Sequence, residues 1–288
     1  MTLTGIKLRA YPTDNQKQVL SQWMGCARVI YNAKCSEDHY FRTFLRKSLT
    51  LTGHPIPVDQ SYSQFKSDET PWLSACPSQI LRNSAVIWYQ AYQRFFQGLS
   101  GRPVAKKKGR KDSIWLTSEL FTLEEVEGEW KLLIGTKTRN VGYLSFEAHR
   151  EFKVPKSLRV SRLRGEYYVS FSYEEDRLVS DPWEQVSDLI IQGESALKEA
   201  CSGNDRGVKI PVVSSRGERY DFTPEQKKTI RKKKKQIRKN QKRVARQKKG
   251  SKRQEKVKRQ IAKDSAKLAH VREDFAHQSS CRLVKGQE

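Results

Sequence analysis

The feature that most limits what this chain can fold into is a basic segment between Lys227 and Lys263. These 37 residues contain 20 Lys and Arg against one acid, Glu255, whereas the rest of the 288-residue chain carries 36 basic and 31 acidic residues. Like charges three or four residues apart on a helix repel by about 0.2–0.5 kcal/mol per pair. A segment of this composition is therefore expected to bind a polyanion that neutralises it.

Apolar residues recur inside this segment at helical spacing. Ile230, Ile237 and Val244 are spaced by seven, and a second apolar stripe follows a turn at 248–252. Two narrow seams of this kind predict an antiparallel helical hairpin over residues 225–276, with most Lys and Arg in solvent. Its candidate nucleic-acid-binding residues are Arg231, Lys232, Lys234, Lys235, Arg238, Lys242, Arg246, Lys249, Lys252 and Arg253.

Nucleic acid is the polyanion that the composition favours. An anionic membrane surface is the alternative, but it requires Trp, Phe or Leu opposite the charge, and the hairpin offers a thin Ile and Val seam. The chain contains no run of about 18 apolar residues, so no membrane span is expected. Five scattered cysteines without a Cys-x-x-Cys pair predict neither a disulfide framework nor a zinc site, and they favour the reducing cytoplasm.

Residues 1–178 alternate between helical and strand periodicity, which predicts an α+β fold. Thr13 and Gln16 form a capping-box pattern at the start of one helix, and a second apolar helix runs through residues 78–99. From Ile114 to Tyr173 the period is two, with a hairpin turn at Arg164, and several short strands predict a small β-barrel. A basic linker before these strands supplies further candidate phosphate contacts: Lys106, Lys107, Lys108, Arg110 and Lys111.

Asp205 lies between two glycines in the stretch "GNDRGVKIPVVSSRGERYDF" (203–222), directly before the basic segment. From spacing alone, Asn204 to Gly207 would make an ordinary β-turn. A single carboxylate does not carry out hydrolysis, and no paired carboxylate stands nearby in the sequence.

Taken with its order in the chain, this stretch resembles the transposon-encoded TnpB (OrfB) family of RNA-guided DNA endonucleases, which are related to compact type V CRISPR effectors. The resemblance continues in "KKGSKR" at the bend of the basic hairpin and in "KLAHVREDFAHQSSCRLV". Nearer the N-terminus it includes "KLRAYPTDNQKQVLSQWMGCARVIYN", "PWLSACPSQILRNSAVIWYQAYQRFF" and "RVSRLRGEYYVSFSYE". These matches cover nearly the whole chain in the family's order.

The resemblance implies a multidomain α+β architecture. Residues 1–12 and 113–178 would form a wedge-type β-barrel, interrupted by a helical, helix-turn-helix-like recognition domain at 13–112. A linker at 179–198 would lead to a partial RuvC domain of the RNase H-like α/β type at 199–288, which contains the basic hairpin. The implied partners are a guide RNA from the transposon end and target double-stranded DNA in a prokaryotic cytoplasm, at the nucleoid.

The resemblance also implies a catalytic, metal-binding role for Asp205. In the family, Asp-x-Gly marks the first RuvC strand, and its carboxylate helps to hold Mg²⁺ for attack on a phosphodiester. The family's second and third carboxylates and its zinc ribbon have no counterpart before Glu288, so Mg²⁺ binding and cleavage are expected only if the site is completed.

Two alternatives to the nucleic-acid-binding portion of such a nuclease remain open. One is a stand-alone, nuclease-dead regulator that binds RNA or DNA. The other is a general basic RNA-binding protein of ribosomal type.

Overall fold

The chain divides into two units, Met1–Arg177 and Leu178–Glu288. The computed structural model describes residues 2–109, 111–126, 128–175, 182–195 and 201–285, and the α+β prediction is confirmed. Its helices are α1 (Asp14–Tyr40), α2 (Arg46–Leu51), α3 (Ser78–Phe96), α4 (Pro182–Gln192), α5 (Pro224–Arg246) and α6 (Lys252–Lys285). Its strands are β1 (Thr2–Ala10), β2 (Asp112–Thr117), β3 (Phe121–Val126), β4 (Glu129–Gly135), β5 (Asn140–Glu147), β6 (Ser157–Leu163), β7 (Glu166–Glu175), β8 (Asn204–Asp205), β9 (Val212–Ser214) and β10 (Arg219–Tyr220).

The first unit is organised around a seven-stranded antiparallel sheet in the order β2-β6-β7-β1-β5-β4-β3. Alternate residues of each strand face one side, where they form the hydrophobic core. In β7, for example, Tyr167, Val169 and Phe171 are buried, whereas the residues between them are partly exposed. The period-two pattern of the sequence therefore assigned the buried face of this strand correctly.

The sequence prediction of a closed β-barrel is wrong, because the described strands form an open series. β1 pairs with β7 over nine positions, but with β5 only at Arg9 with Glu147 and at Ala10 with Phe146. β2 and β3 lie at opposite ends of the strand order, and the short 3₁₀ turn Ser118–Leu120 joins them without pairing them. Alternation along a strand shows which residues face the core, but it does not show whether two distant edges meet.

Two helices cover the buried face of the sheet. The capping box predicted at Thr13 and Gln16 is confirmed, since each side chain accepts a hydrogen bond from the other residue's backbone N–H. α1 packs on α3, and both helices contact β2. Leu20 of α1 and Leu81 of α3 are fully buried in the same cluster as the strand residues, so helices and sheet share one core. The domain boundaries within 1–178 stay a prediction.

The predicted turn between β6 and β7 is also confirmed. Arg164 and Gly165 both have positive φ angles, 56° and 92°, and they connect the two strands directly. Positive φ at both central residues is the geometry of a type I′ hairpin turn, which matches the right-handed twist of the strands.

The second unit contains a small sheet and the predicted helical hairpin. Its three short strands lie in the order β10-β9-β8, which places β8 at an edge. α5 and α6 pack along each other in antiparallel orientation, joined by a turn at residues 247–251. No helix in the described part of the chain is long and apolar enough to cross a membrane.

Candidate nucleic-acid interface

Five of the basic residues of α5 form one stripe along the helix. Arg231, Lys235, Arg238, Lys242 and Arg246 follow one another at spacings of three or four, which places them on a single face. At a rise of about 1.5 Å per residue, the stripe is about 22 Å long. All five side chains are exposed.

The opposite face of α5 packs against α6. Ile230, Ile237 and Val244 are partly buried there, and Asn240 is 3% exposed. The predicted apolar seam is confirmed, but it is thin, and polar residues take part in it. The packing of the hairpin therefore leaves the stripe free for another molecule.

Two polar contacts define how α5 and α6 are aligned. Lys233 Nζ lies 2.6 Å from Asp264 Oδ1, and this carboxylate is 1% exposed. Near the turn, Gln254 Nε2 donates to the carbonyl of Val244 at 3.1 Å, and its Oε1 accepts from the N–H of Gly250 at 3.0 Å. These contacts sit on the buried side of the hairpin, so they set the register without using cations of the exposed stripe.

Most of the positive charge between Lys227 and Lys263 has no counter-ion in the described part of the chain. Among the 20 Lys and Arg, ion pairs are formed by Lys227 with Asp221, Lys233 with Asp264 and Lys258 with Glu255. Nineteen of the 20 are exposed, the exception being Lys233. Uncompensated cations at this density favour a polyanionic ligand, because each phosphate contact releases condensed counter-ions.

The predicted hairpin residues are thus brought together on one exposed element. Arg231, Lys232, Lys234, Lys235, Arg238, Lys242, Arg246, Lys249, Lys252 and Arg253 are all exposed on α5, the turn or the start of α6.

The predicted linker residues lie in the first unit, where the chain enters β2. Asn32 of α1 fixes this loop, since its Oδ1 accepts from the Lys106 N–H at 2.7 Å and its Nδ2 donates to the Lys106 carbonyl at 3.1 Å. Lys107, Lys108 and Lys111 are exposed. Arg110 lies outside the described residues. The loop therefore presents its lysines from a backbone that α1 holds in place.

A buried carboxylate fixes the end of the same loop. Asp112 pairs with Arg28 at 2.8 Å through Oδ1 and with Arg162 at 2.6 Å through Oδ2, and it also accepts the N–H of Gly109 at 3.3 Å. One carboxylate thus neutralises only one of two guanidiniums, which leaves net positive charge beside Lys108.

The environment of Lys106 changes its proton affinity. Although Lys106 is exposed as a residue, its Nζ lies 3.7 Å from the centroid of the Tyr31 ring. The pKa of Lys106 is lowered to about 8, first because the ammonium is desolvated and second because the Arg159 guanidinium repels its charge. A phosphate at this position would restore the charged form.

Asp205 lies at the edge of the small sheet in the second unit. Its strand, β8, has two residues, pairs with β9 through Asn204 with Ser214 and Asp205 with Val213, and is exposed throughout. Gly207 follows in a tight turn, where an added Cβ would come 2.6 Å from the Ile210 carbonyl oxygen. The glycine of the Asp-x-Gly motif therefore has a steric reason to be there.

The carboxylate of Asp205 is not part of a cluster of metal ligands. Within the described residues, no three His, Cys, Asp or Glu side chains lie close enough together to hold a metal ion. Two Mg²⁺ ions need several oxygen ligands at once, because each demands near-octahedral coordination. The donors that are present do not fit a two-metal centre, so no catalytic step can be derived from them.

Several residues of the interface could not be assigned from the sequence. Asn32, Asp112, Arg28 and Arg162 act together on one loop, yet they come from three elements and lie up to 84 positions from their partners. An Asn in a helix or an Asp beside a linker carries no local signal of such a contact.

Two comparisons with known proteins bear on this arrangement. A helix-turn-helix domain model of the OrfB type matches residues 1–34. In the structure, these residues form β1 and the greater part of the single helix α1. The chain is also 24% identical over 241 residues to InsQ of Escherichia coli (strain K12), whose full name is "Putative RNA-guided DNA endonuclease InsQ". The match covers 80% of this chain and 52% of InsQ, so the chain spans about half of that relative's length.

Proposed function

Since this chain is a member of the TnpB/OrfB family, we propose that it is a transposon protein that binds a guide RNA and target DNA. The guide would supply sequence specificity through base pairing, and the protein would hold the phosphate backbone and the shape of the duplex. The activity in the name of InsQ is that of a longer protein. Its partners are therefore carried over here as part of the proposal.

The observation that carries the proposal is the exposed stripe of α5. Seventeen of the 20 cations between Lys227 and Lys263 have no acidic partner in the described part of the chain. The five positions of the stripe are all Lys or Arg, whose side chains suit contacts to phosphate oxygens along a backbone. Binding through these phosphate contacts is expected to be strong at low salt and to weaken steeply as the salt concentration rises.

The lysines of the linker add a second group of phosphate contacts. Lys106, Lys107, Lys108 and Lys111 extend from a loop that Asn32 and Asp112 hold at its two ends. Because hydrogen bonds hold the backbone of Lys106 and Gly109, less conformational entropy is lost on binding than for a free basic tail.

We further propose that these 288 residues bind nucleic acid without cleaving it. By resemblance, Asp205 is the first carboxylate of a RuvC site, and Mg²⁺ would activate the phosphodiester there once further ligands were supplied. In the described residues, Asp205 stands on an exposed edge strand without such ligands. Its own role would be to provide one oxygen ligand from a strand that β9 holds in place.

Sequencing of the RNA that co-purifies with the chain tests the proposal. One defined RNA that originates beside the gene is the expected result, and bulk ribosomal RNA would instead indicate a general RNA-binding protein. Absence of any bound RNA, together with weak binding to duplex DNA at low salt, would overturn the proposal.

A plasmid-cleavage assay tests the second part. The purified complex is incubated with Mg²⁺ and a plasmid that carries the guide-matched target, next to an Asp205→Ala variant as control. Neither protein is expected to nick the DNA. Guide-dependent nicking by the wild type that the variant lacks would show that the site is complete without further ligands.

A further inference from the structure

The outer face of the large sheet carries a row of residues that lie in register across four strands. Trp115 of β2 is opposite Arg159 of β6, Arg159 is opposite Ser170 of β7, and Ser170 is opposite Lys7 of β1. Their sequence neighbours on both sides, such as Leu158 and Val169, are buried in the core. Because side chains alternate along a strand, the row points away from the core, toward solvent.

Small residues beside this row leave a depression in the sheet surface. Its volume is about 470 Å³, which is within the range of about 300–1,000 Å³ that ligand sites occupy. Ser157, Ser172 and Gly5 line it together with the row. A Cβ added at Gly5 would meet no atom within 4 Å, so the space above this residue is open.

The depression is positively charged. Lys7 and Arg159 line it, and Arg150 reaches its rim, where the guanidinium donates to the Gly5 carbonyl at 2.9 Å. None of its lining residues is acidic. Glu166, at the start of β7, is paired with Arg9 at 2.9 Å and does not line the depression.

Arg159 provides a second, independent sign of a ligand. Its guanidinium donates to Ser113 Oγ at 3.3 Å, but it forms no ion pair with an acid in the described part of the chain. Arg159 is only partly exposed, and this burial lowers the pKa of its guanidinium. A desolvated cation without a counter-ion is costly, and a bound phosphate would offset that cost.

We propose that this depression binds one unpaired nucleotide of a single-stranded nucleic acid, with the base against Trp115 and the phosphate between Arg159 and Lys7. Only an unpaired base exposes a face for an aromatic side chain, so a duplex would not use the site fully. The serine hydroxyls can accept and donate hydrogen bonds to the base edge or to the sugar. The inference rests on the proposed function and adds a single-strand site to it.

A variant that fills the depression without changing any charge gives the sharpest test. Gly5→Leu places an apolar side chain in open space on a strand that prefers larger residues, so the sheet is expected to remain intact. Ser170→Glu introduces an acid into the row itself. Ser145→Glu is the matched control, since it adds the same charge to the same sheet at an exposed position of β5 outside the depression.

The probes are oligouridine and oligodeoxythymidine of about 12 nucleotides, which is within the site sizes of single-strand binders. Gly5→Leu and Ser170→Glu are expected to weaken binding of at least one probe about tenfold, and Ser145→Glu should bind as the wild type does. Trp115→Ala is expected to weaken binding by about 5- to 100-fold, the effect of losing one stacked base. Circular dichroism and thermal unfolding show whether each variant is folded.

Photocrosslinking with 4-thiouridine or 5-bromodeoxyuridine probes, followed by peptide mapping, locates the contact even if one variant fails to fold. A crosslink to the β2 peptide that contains Trp115 supports the proposal, and the probe that gives it shows whether the ligand is RNA or DNA. Wild-type affinity in all folded depression variants, with crosslinks elsewhere, overturns the single-strand site. If variants that lack cations of the α5 stripe bind the two single-stranded probes and duplex DNA as the wild type does, the proposed function itself is overturned. That outcome is independent of the result for the depression.

Discussion

Lys233 and Asp264 form an ion pair on the buried side of the α5–α6 hairpin, with 2.6 Å between Nζ and Oδ1. The two partners differ in burial, because the Asp264 side chain is 1% exposed and the Lys233 side chain is 31% exposed. The second carboxylate oxygen, Oδ2, has no hydrogen-bond partner in the described structure. The pair therefore fixes the alignment of the two helices. Within the described structure, Lys233 compensates the charge of the buried Asp264 carboxylate.

This asymmetry predicts unequal effects of removing either partner. Lys233→Ala leaves a buried carboxylate uncompensated and is expected to lower the free energy of unfolding by about 3–5 kcal/mol. Asp264→Ala leaves a lysine that can reach water, so the expected loss is smaller, about 1–2 kcal/mol. Urea denaturation of both variants measures the difference. Equal losses, or a larger one for Asp264→Ala, would show that the burial of the carboxylate does not govern the pair.

Removing cations from the exposed stripe of α5 should reduce the salt dependence of nucleic-acid binding. Removing the same number of charges elsewhere should not. Replacing Arg238 and Lys242 by Gln removes two unpaired cations from the stripe. The slope of log K against log salt should fall in magnitude by about 1.8 for duplex DNA or about 1.4 for a single strand.

The matched control removes the same charge where it is already neutralised. Lys17 is paired with Asp14 at 2.9 Å and Arg82 with Glu119 at 3.2 Å. A double Gln replacement at these two positions should leave the slope nearly unchanged. Fluorescence anisotropy from about 50 to 200 mM salt gives both slopes. Equal changes in the two variants would mean that only net charge matters and that the stripe is not a contact surface.

Replacement by Ala should have a much smaller effect on stability at Asp205 than at Gly207. Asp205→Ala removes an exposed carboxylate from a two-residue edge strand, so the free energy of unfolding should change by less than about 0.5 kcal/mol. Gly207→Ala places a Cβ 2.6 Å from the Ile210 carbonyl oxygen, a backbone atom that cannot move aside cheaply. A loss of about 1–3 kcal/mol is expected. Thermal unfolding distinguishes the two, and a large loss for Asp205→Ala would assign that carboxylate a structural role.

The sequence predicted the features that depend on neighbouring residues. Thr13 and Gln16 form a capping box because the two residues are three apart, and Arg164 with Gly165 forms a hairpin turn because the turn is local. The apolar seam of Ile230, Ile237 and Val244 could be predicted for the same reason, because helical spacing places the three residues on one face.

The features that the sequence did not predict depend on distant contacts. The hydrogen bonds between Asn32 and the backbone of Lys106 join residues 74 positions apart. The row from Trp115 to Lys7 depends on the order in which four strands pair. The predicted barrel failed for a related reason, because closure depends on how the edges β2 and β3 approach each other. The architecture of the region around Asp205 as a RuvC domain stays a proposal.

The lowered pKa of Lys106 predicts a pH dependence of nucleic-acid binding within an accessible range. With a pKa of about 8, the ammonium is mostly charged at pH 7 and mostly neutral at pH 9. A phosphate contact favours the charged form, so the affinity should fall as pH rises from 7 to 9. Lys106→Arg keeps its charge at both values, because a guanidinium does not titrate there, and should remove this pH dependence.

The effect on folding has the opposite sign. Below pH 8, Lys106 is protonated in both the folded and the unfolded chain. Between pH 8 and the ordinary lysine value of 10.5, the unfolded chain binds more protons, so the contribution of Lys106 makes the folded state more stable as pH rises. Measurements of affinity and unfolding across pH 7–9.5, in the wild type and Lys106→Arg, separate the two effects. If the affinity of both proteins changes equally with pH, Lys106 is not a phosphate contact.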